Sequence, residues 1–267
     1  SGEVYRWYDQ STGGTLLFTG NPYVTPSLTG TATYYVCLYN ATTQCESSRT
    51  SVTVTVADNS IAPTAVQDIN VGANGTALTV TEQSTPVSRA WYYGTASGGP
   101  YSSSLGNTTT TYTPNFATQG TYYVVCISTF ACGAITSNEV QINVHPYINT
   151  GTISGSPFCV TASAGAAVTV PFTSVGTFTS NTYTAQLSNS SGSFASPVNI
   201  GTLISDANSG NINATIPANT PTGTGYLIRV TSSSPAVDGA DNGSNLTVNL
   251  AANSIAPSAT QDININA

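Results

Sequence analysis

The chain has 267 residues, a net charge of −7 at neutral pH, four arginines and no lysine. So little positive charge argues against a nucleic-acid partner, because phosphate neutralisation needs clustered Lys or Arg, and against anionic membrane surfaces. Hydrophobic residues make up 39% of the chain, enough for several cores, yet no run approaches the roughly 20 apolar residues of a membrane span.

Apolar and polar residues alternate in short runs along the chain, and clusters of Gly, Pro, Asn and Ser break the runs. The segments 51–56 and 139–144, SVTVTV and EVQINV, each place three apolar side chains on one face of a strand. Helix signals are nearly absent. Many short strands separated by turn residues predict an all-β chain, built as a series of sandwiches or barrels.

Two segments of the chain repeat one another. YRWYDQSTGG from Tyr5 matches RAWYYGTASGG from Arg89, and in both copies a Tyr-Tyr-Val strand, two cysteines and a Val-alternating strand follow. We therefore expect one kind of module twice. The first copy, residues 1–57, is a partial module whose first strands are missing, and the second copy, residues 58–146, is complete.

In residues 147–251, apolar and polar residues alternate in runs that do not match the repeated module. About seven strands over about 105 residues match the size of an immunoglobulin-like β-sandwich. Pro146, after the single His145, marks the joint between the two module types.

One phrase occurs twice. NSIAPTAVQDIN begins at Asn59, and NSIAPSATQDIN, identical at ten of twelve positions, begins at Asn253. We interpret the phrase as a linker and the first strand of a module, with Ile61 and Ile69 as its buried positions. Its second occurrence predicts that residues 252–267 form the first strand of a following module.

The repeated Trp-Tyr pairs are the first candidate site. We expect Trp7 and Trp91 to fill sandwich cores, with an exposed sugar-stacking surface as the alternative. Because successive side chains of a strand point to opposite faces, Tyr8 and Tyr92 should then point outward. There they could form a ligand-stacking face.

The cysteines are the second candidate site. Cys37 with Cys45, and Cys126 with Cys132, occupy equivalent places in the repeat, which favours one disulfide across each hairpin in an oxidising compartment. Zinc ligation lacks a nearby His or second pair. Cys159 has no partner in its module, and we expect it to be a buried thiol.

A third segment, VDGADNGSN, carries Asp238, Asp241 and Asn242 and resembles a calcium loop weakly. Calcium needs six to eight oxygen ligands, and this stretch offers two carboxylates and an amide. A hairpin turn is the favoured interpretation, because Asp-Gly and Asn-Gly supply the positive φ of tight turns. We expect no metal and no other cofactor.

Enzyme motifs are absent. The sequence contains no G-x-S-x-G, no H-E-x-x-H and no P-loop lysine. A nucleophile–base pair would have to use His145, which lies beside Pro146 at a module joint. We expect a protein that is not an enzyme.

Several motifs resemble a known kind of repeat. WYDQSTGG with TYYVCLYNATTQCES resembles the immunoglobulin-like modules found in tandem in very large secreted proteins of Bacteroidota. AQLSNSSGSF, YLIRVTSSSP and DGADNG, in that order, are similar to a second module of the same proteins, which include SprB-type gliding adhesins and other type IX secretion substrates. The resemblance implies export to the cell surface, anchorage through a C-terminal signal, and a stalk or adhesin role; it carries no site residues.

We therefore predict tandem immunoglobulin-like β-sandwich modules arranged as an elongated rod, outside the cell on a bacterial surface. The function would be a stalk or adhesin filament related to gliding or attachment, with the neighbouring modules of the same long chain as partners. No membrane insertion is expected.

Three alternatives remain open. The chain could bind a surface polysaccharide through its outward tyrosines, or it could be an accessory region of a large secreted hydrolase. The strand predicted in 252–267 of one chain could also complete the first module of the next chain and give head-to-tail polymers.

Overall fold

The computed structural model describes residues 2–251, and every regular element in that range is a β-strand. The part of the chain described therefore contains no helix that could cross a membrane. Within the described residues two compact units are present: residues 2–68, 74–114 and 121–143 form the first, and residues 69–73, 115–120 and 144–251 form the second. The strand expected in 252–267 lies outside the described residues.

The first sheet is formed by residues 3–54. Its strands follow the order β2-β1-β3-β4, and β5 also pairs with β3; all the pairings are antiparallel. Trp7 opposes Val36 and Phe18, and Tyr34 opposes Val52, so these side chains share one face. The strands are β1 (Glu3–Tyr8), β2 (Leu16–Thr19), β3 (Ala32–Asn40), β4 (Cys45–Glu46) and β5 (Thr50–Val54).

Residues 59–145 form two sheets, ordered β11-β8-β6 and β10-β9-β12-β14-β7, with β13 paired to β12. The core between them contains Ile61, Leu78, Trp91 and Val124, all no more than 1% exposed. The strands are β6 (Asn59–Ala62), β7 (Gln67–Asn70), β8 (Leu78–Glu82), β9 (Ser88–Gly94), β10 (Ser103–Ser104), β11 (Thr111–Tyr112), β12 (Gly120–Phe130), β13 (Gly133–Thr136) and β14 (Val140–His145).

Residues 147–250 form a seven-stranded sheet, ordered β19-β18-β22-β23-β15-β17-β20, and a three-stranded sheet, β16-β24-β21. Alternating residues of the two sheets build one core around Tyr183, Ile212 and Ile228, which are fully buried. The strands are β15 (Tyr147–Thr150), β16 (Phe158–Val160), β17 (Ala166–Val175), β18 (Thr182–Leu187), β19 (Val198–Ile204), β20 (Ser209–Ile216), β21 (Gly223–Tyr226), β22 (Ile228–Ser233), β23 (Ala236–Asp241) and β24 (Leu246–Leu250).

Candidate functional site

Trp91 lies in the core of the 59–145 sandwich and is completely buried. Its indole Nε1 donates a hydrogen bond to the Thr109 carbonyl oxygen at 2.9 Å, and its ring centroid is 5.6 Å from that of Tyr112. The hydrogen bond satisfies the one polar atom of the buried indole. A sugar could not reach this ring without opening the sandwich.

Trp7 has similar local contacts but is only half-buried. Its Nε1 donates to the Gly20 carbonyl oxygen at 3.1 Å, and Tyr23 lies 5.4 Å away between ring centroids. In the described part of the chain, residues 3–54 form one sheet, whereas β6, β8 and β11 provide a second sheet over Trp91. Large apolar side chains on the Trp7 face remain 36–43% exposed: Tyr5, Phe18, Leu38 and Val52.

Tyr8 points to the other face of β1, as strand alternation requires, but it is 6% exposed and so is not the open ring that the sequence predicts. The Arg49 guanidinium covers it at 3.3 Å from the ring centroid, and its hydroxyl donates to Glu46. Arg6 covers Tyr39 in the same way, at 3.2 Å. Cation–π stacking therefore occupies the face where a ligand was expected.

Glu46 ties this arginine–tyrosine cluster together. Hydrogen bonds from Tyr8 and Arg6, with the charge of Arg49, hold the pKa of the Glu46 carboxyl below its usual value. The signal that could have predicted the cluster is the concentration of two of the four arginines in residues 1–57. Tyr92, on the equivalent strand of the next module, is half-buried.

The cysteines of the two hairpins are free thiols, which corrects the predicted disulfides. Cys45 opposes Asn40, three residues from Cys37, so the two cysteines are about 10 Å apart along the ladder. A disulfide needs Cα atoms within about 7 Å. The hairpin register, which was not evident from the spacing, therefore separates the pair.

The second pair is separated even further. Phe130 opposes Gly133, so Cys132 lies in the turn, while Cys126 bonds to Ser137 four residues down the ladder. Cys126 is buried and Cys132 is exposed. Cys159 is also exposed, not buried as expected, because Phe158 and Val160 on either side of it point into the core.

The segment VDGADNGSN, the weak calcium candidate, is mostly strand and not the hairpin turn that the sequence predicts. Asp238 and Asp241 lie on β23, and only Gly243, at φ 67°, makes the tight turn. Asp238 pairs with Arg229 at 3.1 Å, and Asp241 Oδ1 accepts from the Gly243 amide at 2.8 Å. Asn242 Oδ1 accepts from the Ile228 amide at 2.9 Å. Within residues 2–251, no three His, Cys, Asp or Glu side chains group as metal ligands.

A half-buried ion pair that the sequence did not reveal lies in the 59–145 sandwich. Arg89 donates two hydrogen bonds to Glu82, at 3.1 and 2.5 Å, and the Ser128 hydroxyl donates a third at 2.6 Å. The Arg89 hydrogen bond is the main cause that lowers the pKa of Glu82, although burial opposes it. The pair links β8 to β9 and β12.

Two residues of the phrase that begins at Asn59 are held by side-chain hydrogen bonds: Asn59 bonds to the β12–β13 hairpin, and Ile61 bonds to Asn138, in the segment after β13. Asn59 Nδ2 lies 3.1 Å from the carbonyl oxygens of Cys126 and Ile135. The Asn138 side chain accepts from the Ile61 amide at 2.8 Å and donates to its carbonyl oxygen at 3.1 Å. We call this arrangement the NSI seat; it gives the repeated phrase a structural role.

A close-fitting joint surrounds Pro146, the single residue between β14 and β15. Within the second compact unit, Gln119 accepts from the Thr177 amide at 2.7 Å and donates to its carbonyl oxygen at 3.1 Å. Gly176, at φ 127°, lies so close to Pro146 that a Cβ would be 2.5 Å from the proline Cβ. Only glycine fits there without displacement.

An open cleft of about 350 Å³ lies at one end of the 147–250 sandwich. Its walls combine apolar and small polar side chains, among them Leu187, Ser188, Val198, Thr220, Pro221 and Tyr226. The Tyr226 hydroxyl is bonded to the Pro221 carbonyl oxygen at 2.8 Å. Tyr226, the aromatic residue of this lining, is only 3% exposed, so it presents no open ring face to the cleft.

Comparison with known proteins gives one family match. Residues 1–57 match the family model described as "Ig-like domain CHU_C associated". A search of curated proteins found no match to the chain.

Solved structures of low sequence identity cover most of the chain. The three N-terminal domains of the highly immunogenic outer capsid protein of bacteriophage RB49 are 14% identical, with 94% of this chain and 88% of that chain covered and a TM-score of 0.34. The N-terminal eight Ig domains of Down syndrome cell adhesion molecule are 11% identical, with 93% and 36% covered and a TM-score of 0.29. Sidekick-1 immunoglobulin domains 1–4 are 13% identical, with 94% and 66% covered and a TM-score of 0.27. The chain is an all-β protein of immunoglobulin-like fold, and its first 57 residues are similar to the CHU_C-associated Ig-like domains.

Proposed function

We propose that the chain is a non-catalytic spacer or adhesive segment of a long extracellular repeat protein, used as a stalk or adhesin filament in gliding or attachment on a bacterial surface. The joint at Pro146 carries the proposal. A stalk transmits force and position only if its modules cannot swing freely, and one proline between two strands leaves little slack.

The contacts around the joint support the same conclusion. Gln119 bonds both backbone groups of Thr177 with its side-chain amide, as a neighbouring strand would. Gly176 allows the backbone to approach Pro146 closely. A binding module would have no evident need for such a joint, whereas a filament needs one at every repeat.

The polar surface is also suited to this role. Only 6% of the residues are charged, and Ser, Thr, Asn and Gly supply most of the remaining polar surface. A surface of this kind is hydrated but makes few non-specific ionic contacts. The resemblance to modules of large Bacteroidota surface proteins supports export, with type IX secretion as the proposed route.

A flexible insertion tests the spacer function. Six Gly or Ser residues placed after His145 should broaden the distribution of maximum dimensions measured by small-angle X-ray scattering, whereas wild type should fit one narrow population. The same insertion after Ser191, in an exposed loop, is the control and should leave the distribution narrow. A wild-type distribution as broad as that of the His145 insertion would contradict the proposal.

The location can be tested separately. Antibodies raised against the chain should label intact cells of the source organism, and brief protease treatment of whole cells should remove the label. Labelling only after the cells are permeabilised would refute a surface role.

A further inference from the structure

The first and the last strand of the 147–250 sandwich both lie inside a sheet. β15 lies between β23 and β17, and β24 lies between β16 and β21. Each of the two is parallel to one neighbour and antiparallel to the other. In the 59–145 sandwich, by contrast, the first strand, β6, stands at the end of its sheet and pairs with β8 alone among the described strands. A strand with partners on both sides cannot be peeled away from an edge.

The chain enters the 147–250 sandwich at one end and leaves it at the other. Tyr147, the first residue of β15, opposes Val175, the last residue of β17. Leu250, the last residue of β24, opposes Val160, and a short loop joins Val160 to Ala166, the first residue of β17. β17 has ten residues and so separates the two ends by about 33 Å. Tension applied through the chain on either side therefore pulls β15 and β24 in opposite directions, along their own axes.

A buried hydroxyl strengthens the attachment of β15. Thr150, which is 8% exposed, donates from Oγ1 to the Ala240 carbonyl oxygen at 2.7 Å and accepts from the Val230 amide at 2.9 Å. These bonds lie at the bulge where the register of β22 and β23 shifts. One side chain thus ties the first strand of the sandwich to two strands near its end.

Hydroxyls also hold β24, in addition to its two ladders. Ser156 Oγ accepts from the Thr247 amide at 2.9 Å, and Thr222 Oγ1 accepts from the Leu250 amide at 3.0 Å. The Ala251 amide, directly after the strand, donates to the Val160 carbonyl oxygen at 2.8 Å. The last strand is therefore bonded to both neighbouring segments as far as the point where the chain leaves the sandwich.

We propose that the 147–250 sandwich is a load-bearing element: tension along the chain shears β15 and β24 against partners on both sides, so that many hydrogen bonds must break together. The proposal deepens the spacer function and rests on it for the source of the tension. Forced unfolding is governed by the unfolding rate along the pulling direction and not by the equilibrium free energy. The 147–250 sandwich should therefore outlast the 59–145 sandwich, whose first strand is held by a ladder on one side.

Optical tweezers holding the full chain by handles at its two ends test the order of unfolding at constant force. The extended lengths of residues 59–145 and 147–250 are at most about 310 and about 370 Å, so the two steps can be told apart. The longer step should come last, with a lifetime at least about tenfold longer than that of the shorter step. A longer step that comes first would overturn the proposal.

The contribution of Thr150 is tested in the same measurement. Thr150→Val keeps the shape of the side chain but removes both hydrogen bonds, and it should shorten the lifetime of the longer step at least about tenfold. Thr150→Ser keeps the hydroxyl and should behave like wild type, which separates the bonds from a folding defect. Thr202→Val, at an exposed position of β19, is the matched control and should change nothing. A wild-type lifetime for Thr150→Val would contradict the shearing of β15.

The direction of pulling gives the sharpest outcome. Thr173 and Ser209 are exposed and oppose each other on the antiparallel pair of β17 and β20, so handles placed there separate the strands one bond at a time. The handles need Thr173→Cys and Ser209→Cys, with the exposed Cys45, Cys132 and Cys159 changed to serine. At equal force, this geometry should unfold the sandwich at least about 100-fold faster than pulling on the chain ends.

A rate that does not depend on the pulling direction would overturn the proposal. It would leave the spacer function intact, because that function is tested by the flexible insertion after His145. The two failures can therefore be distinguished.

Discussion

The two copies of the Trp-bearing module place the same side chain in different surroundings. Trp91 lies between two sheets and is 0% exposed, whereas Trp7 lies on a single sheet and is half-buried, although each indole bonds to a carbonyl oxygen and packs on a tyrosine. Local contacts are thus reproduced by local sequence. Complete burial depends on the covering strands β6, β8 and β11.

The largest expected difference between the copies is in the two tryptophan truncations. Trp91→Ala should destabilise the 59–145 sandwich by about 3–5 kcal/mol, because it empties a closed core. Trp7→Ala should cost about 1–2 kcal/mol, because the Trp7 ring is partly exposed to solvent in the folded protein and so loses less buried area. Hydrogen exchange of the strands in each copy, followed by mass spectrometry, measures both losses; equal losses would remove the distinction between the copies.

Thiol reactivity should sharpen the same comparison. Burial raises the pKa of the Cys37 and Cys126 thiols, whereas Cys45, Cys132 and Cys159 are exposed. A maleimide should modify three thiols at once and the two buried ones about 100-fold more slowly.

Cys37 should react before Cys126, because the single sheet opens more easily than the closed sandwich. Peptide mapping of samples taken over time gives the order. If the wild-type protein shows no reactive thiols until it is reduced, the cysteines are paired as disulfides and the free-thiol assignment is wrong.

The contribution of a glutamate carboxylate to stability should also differ between the two copies, by a smaller amount. Glu82 is 8% exposed and receives three hydrogen bonds, whereas Glu46 is 29% exposed. Glu82→Gln should cost about 2 kcal/mol near neutral pH, since Arg89 loses its charged partner, and Glu46→Gln at most about 1 kcal/mol.

The pH dependence follows from the direction of the pKa shift. The folded-state pKa of Glu82 is lowered, so its contribution is fully present above the unfolded value of about 4.5 and is lost as the pH falls through the folded value. Urea unfolding at pH 7 and at pH 3 should therefore show a smaller Glu82→Gln effect at pH 3. An effect that does not change with pH would exclude the ion pair as its cause.

The smallest difference is expected at the NSI seat. Asn138→Ala removes two hydrogen bonds to Ile61 and should cost about 1 kcal/mol. Ser48→Ala, at an exposed position of the first sheet, should change stability by less than about 0.5 kcal/mol. Thermal unfolding of the two variants, with wild type as reference, gives the comparison; equal effects would mean that Asn138 does not hold the phrase.

Side-chain alternation was enough to predict the strands and the inward direction of Trp91, because the pleat sends successive residues to opposite faces. The same rule sends Tyr8 away from Trp7, but it says nothing about what lies above Tyr8. Arg49, 41 positions later in the chain, covers that ring. Contacts between residues so far apart in sequence leave no trace in a local pattern.

The cysteines also show that a local sequence pattern does not predict contacts between strands. Equivalent positions in a repeat predicted two disulfides, yet a ladder register places Cys45 opposite Asn40 and Cys132 in a turn. Register depends on turn geometry and on which apolar set is buried, and neither follows from the spacing of the cysteines.

By itself, the sequence determined the all-β class, the repeat and the recurrence of the phrase, because these depend on period-two patterning and on identity between segments. Only the tertiary structure decided which faces are covered, which thiols are separated and where the phrase binds. Those properties depend on pairing between distant strands, and the side chains that meet there are selected by register and not by their neighbours in the chain.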